Sequence, residues 1–478
     1  MELPDGLVAV VKRDCPTCSL VAPVLAQLSG VPGAPLTVWS QDDPTFPEGV
    51  AEVVDDTGLE RSWHLDVETV PTLIRVAGGV EVARTVGWSR ERWVELTGVP
   101  GLGAELPEHR PGCGSMTLDP DRADELAVRF SGRTLRSRHV EIAELEDEHE
   151  ALFDRSWTDG LPVVPPTPER VLRMLAGTTR PPDEVVATVP PDLVTCTVEK
   201  VAVNAVLAGC KPEHLPVVLA AVKAACTSEF NIHGLLATTW FSGPVVLVNG
   251  PIAAAIGMNA GVNALGQGNR ANATIGRALQ LVIRNVGGGR PGGVDQATLG
   301  NPGKYTFCFA EAEATSPWES LARSRGIPEG TSAVTLFAGS GVQGVVDQLS
   351  RTPDSLARSL AACLRTVAHP KLPIGFDAML VISPEHGRVF REAGWDRARV
   401  LAELTGLLEL DGAELVRGAG GITEGIPEHL AGATLPKFRD GGLLITYAGG
   451  EAGLFSAIIG GWASGDVGSS PVTVAVGT

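Results

Sequence analysis

Two cysteines three residues apart, Cys15 and Cys18, sit between an apolar run, Gly6 to Lys12, and a stretch with helical spacing, Leu20 to Leu28. That order constrains the chain more than any other feature in it. A Cys-Pro-Thr-Cys at the junction of a strand and a helix places the first thiol at the helix N-terminus. Backbone N–H groups and the helix dipole favour its thiolate there, and the second thiol lies one turn on, where it can resolve a mixed disulfide. Half of a zinc site would need a second Cys pair or a His pair nearby, and the first hundred residues supply neither. The chain has eight cysteines in 478 residues, and the other six are single. That is too sparse for a disulfide scaffold and consistent with a reducing compartment.

Downstream, Leu36 to Ser40 reads as a second apolar strand and Thr69 to Val76 as a third. A Gly78-Gly79 turn leads into Val80 to Val86, giving a hairpin, and a helix is expected from about Ser89 to Leu96. A Cys-x-x-Cys after the first strand, Val70-Pro71-Thr72 opening a later one, a hairpin and a closing helix resemble the thioredoxin fold over roughly residues 5 to 98. The resemblance implies that Pro71 is a cis proline set against the cysteine pair and that Val70 offers its backbone to substrate. Where that family has Trp-Cys-Gly-Pro-Cys, this chain has Asp14-Cys15-Pro16-Thr17-Cys18.

A chain this long exceeds one hydrophobic core, so several domains are expected. The thioredoxin-like domain takes residues 1–100. Residues 101–118, rich in Gly, Pro and charge and without periodicity, read as a linker that carries Cys113. An α/β domain follows in two parts, 119–325 and 326–478. Strands alternating with helices predict mainly parallel sheets, with sites at the strand C-terminal ends. Three turns qualify, namely Gly339-Ser340-Gly341, Ser383-Pro384-Glu385-His386 and Gly449-Gly450-Glu451.

The formal charge of -18 has no basic cluster to offset it. Nucleic acid and anionic lipid surfaces are thereby disfavoured as partners. No apolar stretch is long enough to span a bilayer, and the start of the sequence has no positive region followed by an apolar run, so a cytoplasmic location is expected. A homo-oligomer, most simply a homodimer, is the base expectation for such a body.

Several residues of the larger part carry possible chemistry. Cys308 follows Lys304, which could lower a thiol pKa, and precedes Glu311, which could carry a proton. Cys210 stands at a helix end, while Cys196, Cys226 and Cys363 read as core. Cys113, flanked by glycines, could shuttle between domains and exchange with the Cys pair. The loop Asn259 to Asn272, with Asn263, Asn269, Arg270 and Asn272 ahead of a helix, has the makings of an anion site for a carboxylate or phosphate. It lacks the register of a P-loop or dinucleotide fingerprint, so no nucleotide cofactor is expected. His233 and His386 lie in turns where acid–base work is possible. No His or Glu spacing matches a metal motif, and no protein-built metal site is expected.

Residues from about 155 onward resemble a family of bacterial proteins with no assigned reaction. The resemblance rests on Thr-Asp-Gly-Leu-Pro-Val-Val-Pro-Pro from Thr158, Glu-Lys-Val-Ala-Val-Asn-Ala-Val from Glu199, Asn-Arg-Ala-Asn-Ala-Thr-Ile-Gly-Arg-Ala from Asn269, and Pro-Gly-Lys-Tyr-Thr-Phe-Cys from Pro302. It implies a small cysteine- or selenocysteine-containing protein as a companion. Three readings stay open: a thiol-disulfide oxidoreductase fused to a thiol-dependent domain acting on a small anionic substrate, which would need a thiol reductant; a lyase whose thiolates handle a thiophilic metal or organometallic substrate; and a redox-regulated sensor of a small molecule.

Overall fold

The computed structural model describes residues 3–32, 35–130, 135–143, 146–462 and 468–477. The chain divides into two compact units, Met1–Thr134 and Leu135–Thr478.

In the first unit the elements run β1 (Gly6–Val11), α1 (Pro16–Ser29), β2 (Leu36–Ser40), β3 (Val53–Asp55), α2 (Glu60–His64), β4 (Thr69–Val70), β5 (Thr72–Ala77), β6 (Val80–Val86), β7 (Trp88–Ser89), α3 (Arg90–Thr97), β8 (His109–Arg110), β9 (Cys113–Gly114) and α4 (Pro120–Phe130). Five strands form a mixed sheet in the order β3-β2-β1-β5-β6. The β1–β2 and β2–β3 pairs are parallel, and β1–β5 and β5–β6 antiparallel. β1 is central because Leu7 to Val11 is apolar throughout and can be buried on both faces. Its core includes Val8, Val10, Val21, Leu25, Trp39, Leu73 and the edge-to-face pair Trp88–Trp93. α1 begins at Pro16, where a missing N–H costs nothing, with Cys15 as its N-cap.

Residues 101–118 are tied into this unit, contrary to their reading as a linker. β8 pairs with β7, and β9 pairs with β4. Trp88 Nε1 donates to the Pro107 carbonyl at 2.6 Å, and Arg90 Nε donates to that of Gly103 at 3.3 Å. Two-residue strands are too short to leave a periodicity, and donors from distant side chains satisfy the backbone between them.

The second unit contains α5 (Glu148–Asp154), α6 (Pro168–Leu175), β10 (Val185–Val189), β11 (Val194–Thr197), α7 (Val198–Ala208), α8 (Leu215–Ala225), α9 (Ile232–Ala237), β12 (Gly243–Asn249), α10 (Pro251–Ala255), α11 (Arg270–Asn285), β13 (Cys308–Ala310), α12 (Leu321–Ser324), β14 (Ala333–Val346), α13 (Pro353–Leu364), β15 (Ala378–Ile382), α14 (Pro384–Glu392), α15 (Arg397–Leu407), β16 (Glu409–Asp411), α16 (Gly412–Leu415), β17 (Thr434–Pro436), β18 (Leu443–Tyr447), β19 (Phe455–Gly461) and β20 (Val472–Ala475). Its main sheet has seven strands in the order β13-β12-β14-β19-β15-β18, with β20 also paired to β14. Strands from before and after residue 326 share that sheet, so the two expected parts form one body.

The expectation of mainly parallel sheets fails here. Only β12–β13 and β15–β18 are parallel among the six pairings. The reason is β14, which runs antiparallel to β12, β19 and β20, and β19, which inserts between β14 and β15 antiparallel to both. Gly339-Ser340-Gly341 is likewise no turn. It is a bulge inside β14, at which pairing passes from β12 to β19. A Cβ at Gly339 would come within 2.6 Å of Val245 Cγ2 and 2.7 Å of Ile459 Cγ2, so the crossing strands need glycine there. At the other end, Ala312 N–H donates to the Tyr447 carbonyl at 2.8 Å, which curls the sheet until the ends of β13 and β18 meet.

Candidate active site

Three cysteines converge at the N-terminus of α1. Cys15 Sγ accepts from the Cys18 backbone N–H at 3.2 Å and lies 3.6 Å from the Val70 carbonyl oxygen. The Cys15 and Cys113 sulfurs are hydrogen-bonded at 2.9 Å. All three thiols are free. The Val70–Pro71 peptide is cis, and β4 ends there because proline has no N–H to continue the ladder. β9 takes the backbone edge that β4 leaves open, with Val70 opposite Cys113 and Thr69 opposite Gly114.

These contacts set the thiols apart electrostatically. The Cys18 thiol donates to Cys15 and outweighs burial; with the Cys113 thiol and the backbone N–H groups of Cys18 and Thr17 it holds the Cys15 thiol down at about 5. Burial drives Cys18 far above the ordinary thiol range, and its bond to Cys15 adds to the effect. Cys113 is raised by burial and then by its own bond to Cys15. One ionised sulfur flanked by two protonated ones is the arrangement needed for a nucleophile with thiols waiting to resolve it.

The larger unit offers no comparable thiol. Cys308 is buried on β13 against α11, and burial pushes its thiol far up. Lys304, expected to lower it, instead donates to Asp295 Oδ1 at 2.7 Å. Cys210 donates to the Thr274 carbonyl at 3.4 Å and is pushed up to about 12, again by burial. Cys196 and Cys226 reach about 12 for the same reason. Glu311 is no free proton carrier. It accepts from Asn249 Nδ2 at 2.7 Å, from Leu321 N–H at 2.6 Å and from Arg397 Nη2 at 2.8 Å.

The Gly/Asn loop is occupied by its own chain. Asn269 caps α11 by accepting from Asn272 N–H at 3.0 Å, and its amide donates to the Gly257 carbonyl at 2.7 Å. Asn272 Nδ2 donates to the Asn259 carbonyl at 2.8 Å, Asn263 Nδ2 to that of Gln267 at 2.8 Å, and Arg270 Nε to that of Gly209 at 2.9 Å. The asparagine amides expected to meet an anion therefore hold the loop together, and Arg270 spends its Nε on Gly209. His386 is buried between Ser456 Oγ at 2.7 Å and the Asp347 carbonyl at 3.0 Å, which is a structural bridge. His233 is exposed on α9.

The strand-end argument does locate a cleft of about 870 Å³. Gly250 follows β12, Glu311 follows β13, Pro384 follows β15 and Gly449 to Glu451 follow β18, and all of them line it. Two of the three expected turns are thus present. The lining is acidic, with Glu313, Glu319, Glu329 and Glu451. The cation among them, Arg323, is paired to Glu329 at 2.5 Å and to Glu319 at 3.4 Å. No family model, curated protein or solved structure matches this chain.

Among the described residues no group of three or more His, Cys, Asp or Glu side chains is placed to hold a metal ion. No described helix is long and apolar enough to cross a membrane.

Sequence reasoning overlooked the residues that seat Cys113. Thr17 Oγ1 donates to the Pro111 carbonyl at 2.7 Å. Buried Gln41 donates to Ser115 Oγ at 2.8 Å and accepts from Met116 N–H at 3.1 Å. A polar residue just past an apolar strand was the available signal for Gln41. Its partners, more than seventy residues on, could not be read from spacing.

Proposed function

We propose that the N-terminal unit is a thioredoxin-like thiol-disulfide oxidoreductase in which Cys15 is the attacking thiolate. The observation that carries this reading is the convergence of the Cys18 N–H, the Cys18 thiol and the Cys113 thiol on the Cys15 sulfur. In the first step the Cys15 thiolate attacks one sulfur of a substrate disulfide. A Cys15–substrate disulfide forms, the substrate S–S bond breaks, and the other sulfur leaves as a thiolate. A resolving thiol of the same unit then displaces the second half of the substrate. An external thiol reductant returns the unit to its starting state.

The cleft at the strand ends of the larger unit is the seat proposed for a small molecule. Its carboxylates support a neutral or cationic ligand rather than an anion. The thiols of that unit, all raised chiefly by burial, do not support cysteine catalysis there, and fusion to the small unit would supply reducing equivalents at a high effective concentration.

The test is a stopped-flow reaction of the reduced full chain with a chromogenic aromatic disulfide at pH 6, where ordinary thiols are protonated. A fast phase that is present in the wild type and lost in Cys15→Ser is expected. A fast phase of unchanged rate and amplitude in Cys15→Ser would overturn the proposal.

A further inference from the structure

The pairing of β9 with β4 raises the question of which thiol resolves a mixed disulfide on Cys15. We infer that it is Cys113, that the working disulfide of this unit is Cys15–Cys113, and that Cys18 is a positioning residue that holds the Cys15 sulfur. The inference rests on the exchange reading given above and names its resolving thiol, in place of the Cys18 expected from the Cys-x-x-Cys spacing.

Geometry separates the two candidates. Cys18 lies in the first turn of α1 and is fully buried, at 0% exposure. Its backbone N–H donates to the Cys15 sulfur at 3.2 Å. Cys113 is partly exposed and comes from the other side of the site, on a strand registered against Val70. That strand is anchored at both ends. The Pro111 carbonyl accepts from Thr17 Oγ1, and Ser115 N–H donates to the Glu68 carbonyl at 2.9 Å. Gly112 is needed for the approach, because a Cβ there would lie 2.4 Å from Thr69 Cγ2 and 2.7 Å from the Val70 carbonyl oxygen. The Cys113 sulfur is therefore delivered to its 2.9 Å contact by built structure.

The step balances without a further reagent. Cys15–S–S–R and the Cys113 thiol become Cys15–S–S–Cys113 and R–SH. The bond between Cys15 and R breaks, the bond between Cys15 and Cys113 forms, and the proton of Cys113 goes to the departing thiolate. Over both steps two protein thiols are oxidised and one substrate disulfide is reduced.

The experiment oxidises the reduced full chain with glutathione disulfide, quenches in acid, alkylates the remaining thiols and maps the peptides by mass spectrometry. In the wild type the Cys15–Cys113 peptide pair is expected to predominate. In Cys113→Ser the glutathione adduct on Cys15 is expected to accumulate at least tenfold over wild type, and in Cys18→Ser it is not. Gly112→Ala keeps every thiol but displaces β9, so it too should accumulate the adduct. If Cys15–Cys18 predominates and Cys113→Ser resolves at the wild-type rate, exchange at Cys15 stands and the inference falls. If Cys15 acquires neither glutathione nor a protein disulfide, both readings fall together.

Discussion

Cys15 and Cys308 both present almost no surface, at 1% and 6% exposure, yet their thiols are driven in opposite directions. Burial disfavours the thiolate at both sites. At Cys15 it is outweighed because the sulfur caps a helix and receives donors from Cys18 and Cys113. At Cys308 nothing offsets burial, and the nearby Lys304 is spent on Asp295. Proximity in sequence to a cation or a carboxylate does not make a reactive thiol; uncommitted donors aimed at the sulfur do.

The same contrast governs the carboxylates of the larger unit, and breaking one of them should have the largest effect. Glu311 and Arg397 form an ion pair with side-chain exposures of 0% and 8%. Glu311→Ala leaves the guanidinium buried without its counter-charge. The expected loss is about 3–5 kcal/mol of unfolding free energy, read from urea denaturation of the full chain. A loss below about 1 kcal/mol would mean that Glu311 is not committed as a strut and is available for chemistry in the cleft.

A second measurement compares the thiols directly. Between about 5 for Cys15 and about 12 for Cys210, the less acidic thiol has about five decades less thiolate at neutral pH. Its greater intrinsic nucleophilicity recovers roughly three of these. Native iodoacetamide labelling at pH 7 should therefore favour Cys15 by about a hundredfold even before access is counted. Equal labelling would remove the distinction between the units.

How far this contrast was legible in advance depends on the range of the contacts. The strand, Cys pair and helix of the small unit, the Gly78-Gly79 hairpin, and α7, α8, β15 and β18 all follow from local pattern and stand where periodicity placed them. β19 and β20 escaped notice, and with them the antiparallel character of the large sheet, because their neighbours lie far away in sequence. Cys113 shows how the same composition can serve two ends. Its glycines suggested mobility, whereas Gly112 serves close approach to Thr69 and Val70. The Gly/Asn loop failed in the opposite sense, since asparagines spaced for an anion are equally spaced to bind one another's backbone.

Cys18 sharpens the comparison inside the small unit. Removing its thiol in Cys18→Ala takes away the largest contribution that lowers Cys15. A hydrogen bond to a charged group contributes about 1.5–3 kcal/mol, so the labelling midpoint should rise by about 1–2 pH units. A midpoint that stays near 5 would assign the lowered value to the helix terminus and Cys113 alone. The sign for stability follows from the same depression. The Cys15 thiolate stabilises the fold fully above the unfolded thiol pKa of about 8.5, and that contribution is lost as pH falls through about 5. Cys15→Ser should flatten the decline in stability across that window.

The smallest effect distinguishes a structural loop from a ligand site. Asn269 accepts from Asn272 N–H at the start of α11, so Asn269→Ala removes an N-cap and should cost about 1 kcal/mol. If the loop were an anion site, phosphate would stabilise the wild type by mass action and the variant less. With the loop's asparagine amides already bonded within the chain, thermal unfolding of both proteins should shift equally, or not at all, when phosphate replaces chloride at matched ionic strength. A wild-type-specific upward shift would return the loop to the list of ligand sites, and the N-cap would then be one that an anion can displace.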